Sequence, residues 1–583
     1  MNTHIALEGG VATTAELLIE ALQECGVSFI FANLGSDHTA LIEAMASARE
    51  RGAATPAMVI CPHEMSALSA AHGYALACGR AQAVFVHTDV GTANLGGSVH
   101  NASRSRIPVL IFAGLTPYTL EGELPGSRNS QVNHMQELRD QHGLVRSYVK
   151  WSYDIRTGRN VKQLVYRALQ LATSSPCGPV YLTGAREVLA ELAARPQLAR
   201  HRWTAIARIP APDDLIERMV DALARARHPL IVTSYLGRNA ACVPKLVQLA
   251  ERLGVAVVET VKTQMNFPAD HPLHIGYAVD DVIADADVIL ALDTDSPWIQ
   301  SRRGPSPAAL IYFVDADPLK EDLPLWYMPS DHFIRADSEI VLDQLLMRAR
   351  SARIDAAAVA SRTERYASMH RRQRDLWARQ LEQFPADKIT VELVCSVLNR
   401  LIDENTVIVN ETITNLELVF RYLPRNRPGT MLGNGGTSLG WSGGAAIGVK
   451  LAAPDRTVVS LVGDGTYFFS VPASTYWIAK HYATPFLCVI LDNGGWNATK
   501  QNVRLQYPGG AADRTDRYWV NLAQTADLPG IASAAGGAFA ATITQRSELE
   551  AGLSQALDRV AAGQPAVVSV RVAAISEQPS DRA

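Results

Sequence analysis

The sequence predicts an α/β protein made of three doubly wound parallel-sheet domains. Two observations lead to this fold class. Short β-branched runs alternate with helical periodicity along most of the chain, and two similar segments flank a middle one. Helix-covered parallel sheets produce this alternation, because their strands are buried on both faces and joined by helices. With 583 residues, the chain is also too long for one hydrophobic core.

The first domain is predicted over residues 1–190. Helical stretches such as 15–25, 40–51 and 65–78 separate its strands. The strands predicted here are Val27–Ala32, Ala57–Ile60, Ala83–His87, Val109–Ala113 and Val180–Thr183.

A proline-marked stretch at residues 208–214 breaks the pattern, and we predict a second domain over residues 205–350. A charged helical connector over 356–385, a third domain over 387–575 and a polar tail over 576–583 follow. The strands predicted in the second domain are Leu230–Thr233, Val255–Glu259, Val288–Leu292 and Leu310–Val314. Those predicted in the third domain are Thr406–Val409, Thr457–Val462, Phe486–Leu491 and Ala566–Val572.

Composition narrows the function classes. A formal net charge of -4 gives no basic field for nucleic acid, and no apolar run is long enough to span a membrane. The seven cysteines are scattered without a CxxC pair, which disfavours a disulfide framework or a structural zinc site. The first residues do not have the pattern of a signal peptide. We therefore expect a cytoplasmic enzyme that acts on small molecules.

The strongest functional signal is a pair of strand ends in the third domain. A buried run ends in Gly463-Asp464-Gly465, and the next apolar run ends in Asp492-Asn493-Gly494-Gly495. Side chains at the carboxyl ends of parallel strands lie where ligands of such sheets bind. A carboxylate, an amide oxygen and a backbone carbonyl are the ligands that Mg²⁺ prefers, and the following helix start can bind phosphate. A Gly-Asp-Gly turn alone is equally consistent with an ordinary Asp-capped turn, so the pairing carries the prediction.

This pairing resembles the cofactor motif of thiamine diphosphate-dependent enzymes, in which Gly-Asp-Gly is followed by Asn-Asn after a similar interval. The resemblance implies that Asp464, Asn493 and the Gly495 carbonyl bind Mg²⁺. The chain departs from the motif at Asp492, which is not the ligand position. The further residues implied at the diphosphate are Gly463, Gly465, Thr466 and Trp496.

The family also takes a glutamate from its N-terminal domain to bond the aminopyrimidine ring of the cofactor. Here the apolar run 58–60 is followed by Glu64 and a small-residue helix containing Ala71-His-Gly-Tyr-Ala, which is similar. A lone glutamate in this position is usually an ordinary first residue of a helix. The flanking similarity implies instead that Glu64 binds the aminopyrimidine ring. On this resemblance, residues 1–190 are the pyrimidine-binding domain and residues 387–575 are the diphosphate-binding domain.

Two further stretches resemble cofactor-binding segments. Thr412 and Thr414 lie in a turn similar to the family's phosphate-binding turn. Thr437 and Leu439 lie in a glycine-rich loop similar to the one that holds the cofactor bent, where a backbone carbonyl meets the pyrimidine amino group and an apolar side chain separates the rings. The resemblance implies cofactor contacts for all four, and for Asn94 in the first domain.

Within the family, the chain is most similar to the benzoylformate decarboxylase branch. Residues 31–36, the stretch 86–94 and Val149-Lys-Trp-Ser-Tyr153 match motifs of that branch. The resemblance implies that Ser36 binds the substrate carboxylate and that His87 acts as the acid/base, a role that histidine suits near neutral pH. For His38, His63 and His100, which lie nearby, we favour structural roles.

The departures leave alternatives open. The branch uses a second histidine from its middle domain, whereas residues 292–303 contain none; Pro297-Trp298 there either shapes an apolar wall or packs in a loop. The activity implied is therefore 2-oxoacid decarboxylation with carboligase activity, or acetolactate-synthase-like carboligation or aldehyde (acyloin) lysis. FAD is a minority expectation, since residues 205–350 lack a GxGxxG fingerprint. A catalytically silent homologue is disfavoured by the joint presence of Glu64, Asp464 and Asn493.

The resemblance also bears on assembly. In this family the pyrimidine-binding and diphosphate-binding domains meet across a subunit interface. It therefore implies a homodimer as the minimum active unit and favours a homotetramer.

Overall fold

The computed structural model describes residues 10–385, 387–522 and 526–573. Over these residues the chain forms three parallel sheets flanked by helices, which confirms the predicted fold class. The first and last strands of the N-terminal region form a separate, short antiparallel pair. The predicted polar tail, 576–583, lies outside the described residues.

Within the described residues, the N-terminal region contains eight strands and eight α-helices. Its strands are β1 (Val11–Thr13), β2 (Phe29–Ala32), β3 (Ala57–Ile60), β4 (Gln82–Val86), β5 (Val109–Leu115), β6 (Trp151–Ile155), β7 (Pro179–Ala185) and β8 (Leu192–Ala194). Its helices are α1 (Thr14–Glu24), α2 (Thr39–Glu50), α3 (Glu64–Cys78), α4 (Thr88–Asn94), α5 (Gly96–Arg104), α6 (Val132–Met135), α7 (Val161–Thr173) and α8 (Arg186–Ala190).

The middle region contains a five-stranded sheet. Its strands are β9 (Pro229–Thr233), β10 (Ala256–Glu259), β11 (Val288–Leu292), β12 (Leu310–Asp315) and β13 (His332–Arg335). Its helices are α9 (Asp213–Arg225), α10 (Cys242–Leu253) and α11 (Ser338–Ser351), and the long helix α12 (Ala356–Gln383) follows. Asp355 is the N-cap of α12, and its side chain accepts hydrogen bonds from the N–H groups of Ala357 and Ala358.

The C-terminal region contains a second six-stranded sheet. Its strands are β14 (Val407–Glu411), β15 (Met431–Leu432), β16 (Val458–Gly463), β17 (Leu487–Asp492), β18 (Phe539–Ile543) and β19 (Ala566–Arg571). Its helices are α13 (Val391–Leu401), α14 (Leu416–Tyr422), α15 (Trp441–Ala452), α16 (Asp464–Phe469), α17 (Pro472–His481), α18 (Asn497–Gln506), α19 (Ala511–Thr515), α20 (Leu528–Gly536) and α21 (Leu549–Ala561).

The two outer sheets share one topology. The N-terminal sheet has the order β3-β2-β4-β5-β7-β6, and the C-terminal sheet has the order β15-β14-β16-β17-β19-β18. Numbered from the first strand of each sheet, both read 2-1-3-4-6-5. The strand order of each sheet therefore reverses between its first and third strands. At such a point a crevice opens beyond the carboxyl ends of these two strands. These crevices lie between β2 and β4 and between β14 and β16.

Helices α3 and α15 occupy equivalent places in the two outer domains and pack against each other in the same direction. Close approach requires glycine: a β-carbon at Gly448 would overlap the carbonyl oxygen of Ala70 and lie 2.6 Å from the backbone nitrogen of Tyr74. At Gly444 it would lie 2.6 Å from the β-carbon of Ser69. This contact joins the N- and C-terminal domains within one chain and sets the first residues of both helices side by side.

All seven cysteines are free, in agreement with a fold that needs no disulfide framework. Within the described ranges, no helix is both long enough and apolar enough to cross a bilayer.

Candidate active site

The predicted metal ligands lie at the carboxyl edge of the C-terminal sheet. Asp464 follows β16 as the first residue of α16 and is 1% exposed, and Asn493 follows the neighbouring strand β17. The pairing of Gly463 with Leu491 sets the two strand ends level. Asp464, Asn493 and Gly495 therefore offer a carboxylate, an amide oxygen and a backbone carbonyl at one edge of the sheet, a donor set suited to a hard cation.

The space beside these ligands can accept a bulky anion. A β-carbon at Gly463 would have no neighbour nearer than the Thr466 hydroxyl at 4.0 Å, and one at Gly494 would have none within 4 Å. On the other side, the Trp496 indole packs so closely over Gly465 that a side chain there would overlap it. A cavity of about 500 Å³ adjoins Asn493 and Gly495. The donor set and the open glycine turns fit a metal diphosphate.

The predicted phosphate turn lies across the crevice, at the end of β14. Thr412 is buried, and its hydroxyl donates to the Asn410 side-chain oxygen at 2.8 Å; Thr414 is half-buried in the same turn. The buried Asn410 Nδ2 has no hydrogen-bond partner among the described residues. An orphaned buried donor is rare in a folded protein and is consistent with a site that binds an anion.

A buried glutamate missed by the sequence analysis connects this turn to the glycine-rich loop. Glu411 accepts hydrogen bonds from the N–H groups of Trp441 at 3.1 Å and Ser442 at 2.8 Å, and so caps α15. Asn434 of the loop donates to the same carboxylate at 3.4 Å. Burial raises the pKa of Glu411 to about 7, although these backbone hydrogen bonds oppose the rise.

The glycine-rich loop is also fastened to the N-terminal domain. The side chain of Asn101 accepts from the N–H of Ser438 at 2.9 Å and donates to its carbonyl at 2.8 Å. His100 Nε2 lies 2.8 Å from the Gly436 carbonyl oxygen. Thr437, exposed between these contacts, has a positive φ of 58°, which is unusual for a β-branched residue and marks a constrained backbone. Leu439 is half-buried and precedes Gly440, the N-cap of α15.

Glu64 lies at the first position of α3 and is 7% exposed. The side chain of Asn94 donates to its Oε2 at 3.0 Å, so two residues predicted to bind the cofactor are in contact. A β-carbon at Gly91 would lie 3.3 Å from Oε1, so glycine makes room for the carboxyl group. The preceding residue, His63, caps α3 by accepting from the N–H of Met65 at 3.1 Å, which is a structural role.

The predicted substrate residues lie in the crevice of the N-terminal sheet. Ser36, exposed, follows β2, and His87 follows β4. His87 Nδ1 is 2.5 Å from Asp37 Oδ1, and His38 Nδ1 is 2.9 Å from the same oxygen. Asp37 directly follows Ser36, but no sequence motif indicated that it would contact His87. The crevice of the N-terminal sheet thus holds an acid/base cluster, whereas the oxygen donors of the C-terminal sheet follow β16, which borders its crevice, and the next strand, β17.

The middle domain contributes a smaller cavity. Trp298 is 1% exposed and belongs to the middle-domain core, so it packs in the fold. Its neighbours Ser296 and Ile299 line a cavity of about 320 Å³ that also touches Thr437.

Comparison with known proteins agrees with this architecture. Models of thiamine pyrophosphate enzymes match three spans: the N-terminal TPP binding domain at residues 12–144, the central domain at 216–345 and the C-terminal TPP binding domain at 412–570.

Individual relatives are distant but cover nearly the whole chain. A benzoylformate decarboxylase of Pseudomonas aeruginosa is 26% identical over 94% of this chain and 97% of that protein. The large subunit of acetolactate synthase isozyme 3 of Escherichia coli is 25% identical over 96% and 94%.

A solved structure of benzoylformate decarboxylase from Polynucleobacter necessarius shares the fold, with a TM-score of 0.77, 20% identity and coverage of 96% of this chain and 98% of that one. The three matched domains, in the order that the sheets show, establish that the chain belongs to the thiamine pyrophosphate enzymes.

Proposed function

We propose that this protein is a thiamine diphosphate- and Mg²⁺-dependent enzyme that breaks or forms a carbon–carbon bond beside a carbonyl. Its main activity in this proposal is 2-oxoacid decarboxylation, with carboligation as a side reaction. The observation that carries the proposal is the placing of candidate groups at the carboxyl ends of strands in two sheets of the same topology. Asp464 and Asn493 follow the adjacent strands β16 and β17, and His87 at the end of β4 contacts Asp37, which follows β2.

Each group has a separate task in this proposal. When bound, thiamine diphosphate supplies a nucleophilic carbon and an electron sink for the breaking bond. Asp464, Asn493 and the Gly495 carbonyl hold Mg²⁺ with the diphosphate, and Glu64 binds the aminopyrimidine. Ser36 binds the substrate carboxylate, and His87 moves a proton at the substrate oxygen.

The proposed active unit contains two copies of the chain. Ser36, Asn94 and Thr437 are exposed in a single chain, and Trp496 is 37% exposed. Residues that bind a cofactor and exclude water from it must themselves be shielded from solvent. A second copy that sets its pyrimidine-binding domain over this chain's diphosphate-binding domain supplies that shielding.

The test is a reaction screen with the full-length protein, thiamine diphosphate and Mg²⁺. Pyruvate, benzoylformate and longer 2-oxoacids are supplied alone and with aldehydes, and carbon dioxide and acyloins are measured. We expect carbon dioxide release that disappears when EDTA removes the metal and returns when Mg²⁺ is added back. No turnover of any 2-oxoacid, acyloin or aldehyde would refute the proposal.

A second candidate is carboligation as the main reaction, in one of two forms. An acetolactate-synthase-like branch joins two 2-oxoacids with loss of one carbon dioxide, and an aldehyde (acyloin) lyase branch needs no decarboxylation. The absence of histidine from residues 292–303 favours this candidate, since one proton-transfer group of the decarboxylase branch is missing. Carbon dioxide release from a 2-oxoacid that yields an acetohydroxy acid instead of a free aldehyde would support the synthase-like form. Acyloin formation from two aldehydes, or acyloin cleavage, with no carbon dioxide from any 2-oxoacid would support the lyase form. A flavin absorbance spectrum of the purified protein tests whether FAD accompanies either form.

A further inference from the structure

The Asp37 carboxylate is the centre of a buried cluster at the crevice of the N-terminal sheet. It is 3% exposed, and its Oδ1 contacts His87 Nδ1 at 2.5 Å. Its Oδ2 accepts from the N–H of Thr88 at 3.2 Å. Both oxygens are therefore held, and His87 is bound through Nδ1, which leaves its Nε2 as the nitrogen that can react. The His87 side chain remains 19% exposed.

The surrounding backbone is shaped to hold this contact. A β-carbon at Gly114 on β5 would overlap Asp37 Oδ2, and one at Gly35 would overlap His87 Nδ1. Thr88, which donates to Asp37, has a positive φ of 27° although it is β-branched and buried. Such a conformation is costly and persists where surrounding contacts enforce it, often at functional sites.

We propose that Asp37 is a positioning residue that orients His87 and keeps it protonated, so that Nε2 serves as the proton donor of the reaction. This inference rests on the proposed function, because it assumes that His87 acts on substrate. The logic is that of a carboxylate holding one imidazole nitrogen so that the other faces the substrate.

The charges around His87 favour its protonated form. Its pKa is raised, first by the hydrogen bond to Asp37, while partial burial opposes the rise, and the more remote Asp89 on α4 adds to it. Gln136 is a neutral hydrogen-bond neighbour. His38 competes for the same carboxylate oxygen, and burial alone would raise the pKa of Asp37. The hydrogen bonds from His38 and His87 outweigh burial and hold the pKa of Asp37 well below its usual range.

The proton balance of the step is simple. The N–H bond at His87 Nε2 breaks, an O–H bond forms at the carbonyl-derived oxygen of the substrate, and the electron pair stays on Nε2. Solvent returns the proton after product leaves. A histidine whose pKa is raised by a neighbouring carboxylate donates a proton over a wider pH range than a free imidazole, whose pKa is about 6.5.

The first measurement needs neither substrate nor cofactor. Diethylpyrocarbonate reacts with neutral imidazole, so the pH dependence of His87 labelling in the full-length protein, read by peptide mass spectrometry, gives its midpoint. We expect a wild-type midpoint above 6.5, and a fall of about one unit or more in Asp37→Asn, because the nearby charge is lost. Asp154→Asn is the matched control: it removes the other Asp–His contact of this domain, His142 Nε2 to Asp154 Oδ1 at 2.7 Å.

The second measurement is the pH profile of kcat/KM for carbon dioxide release from benzoylformate or pyruvate. In Asp37→Asn the alkaline limb should move to lower pH by the same amount as the labelling midpoint, and the control should leave both unchanged. A wild-type labelling midpoint at or below 6.5, or one that Asp37→Asn does not move, overturns the inference whatever the activity. A moved midpoint with an unmoved profile overturns the catalytic use of the pair and leaves the proposed cofactor chemistry intact.

Discussion

The contact between α3 and α15 gives a quantitative prediction. In Gly448→Ala the added methyl group would overlap the Ala70 carbonyl and lie 2.6 Å from the backbone nitrogen of Tyr74. Alanine is favoured over glycine in a helix interior by about 1 kcal/mol. Overpacking costs about 1–3 kcal/mol, and the upper end applies because backbone atoms cannot turn away as a side chain does. We expect a net loss of about 2 kcal/mol in the free energy of unfolding.

Denaturant unfolding measures the change in the free energy of unfolding. A second measurement is the concentration of thiamine diphosphate that gives half-maximal activity. Because the helix pair holds the two proposed cofactor-binding domains of one chain together, weaker cofactor activation should accompany the loss of stability. Gly96→Ala is the matched control, since Gly96 opens α5 with negative φ and its β-carbon would have no neighbour within 4 Å. If Gly448→Ala were as stable as the wild type, the close-contact argument for this helix pair would be refuted.

Three further predictions concern carboxylates. Asp464→Ala should lose cofactor binding. Titration with thiamine diphosphate and Mg²⁺ measures this through tryptophan fluorescence, because Trp496 covers Gly465. An unchanged affinity for the cofactor would contradict the proposed metal site. Glu64→Gln should bind cofactor but lose nearly all turnover in the decarboxylation assay, and wild-type kcat would exclude its role. For Glu411, the folded-state pKa is raised to about 7, so its contribution to stability is full below about pH 4.3 and is lost as pH rises through 7. Glu411→Gln should therefore show a flatter dependence of Tm on pH between 5 and 8, and an unchanged slope would argue against this assignment.

Most of the interior strands could be predicted from the sequence, and several edge strands could not. The interior strands are continuous apolar runs, as in Val288–Leu292, because both faces are covered by helices. The edge strands β6, β13, β15 and β18 were missed. Strand β13, His332–Arg335, is polar at both ends and mostly exposed, and β15 has only two residues. Half-covered strands carry no continuous apolar signal, and their pairing is decided by the neighbouring strand.

The residues of the candidate site also differ in whether the sequence alone could predict them. The proposed oxygen donors follow their strands directly, so a local pattern was enough to predict Asp464 and Asn493 as candidate ligands. The partners of Asp37 and Glu411 lie 50 and 30 residues away in sequence, and their hydrogen bonds become visible only when the sheets bring the strand ends together. An acidic residue beside a recognisable motif is a weak sequence signal, since its burial and its hydrogen-bond partners come from the tertiary structure.

The parallel arrangement of α3 and α15 has an electrostatic consequence. Each helix carries about half a positive charge at its start, and two starts side by side repel each other. Each start is met by a carboxyl group: Glu64 is the first residue of α3, and Glu411 receives the first N–H groups of α15. The dipoles of the two domains therefore converge on one locality. Carboxylate charge there, which Glu411 carries only above about pH 7, partly offsets the repulsion between the two helix starts.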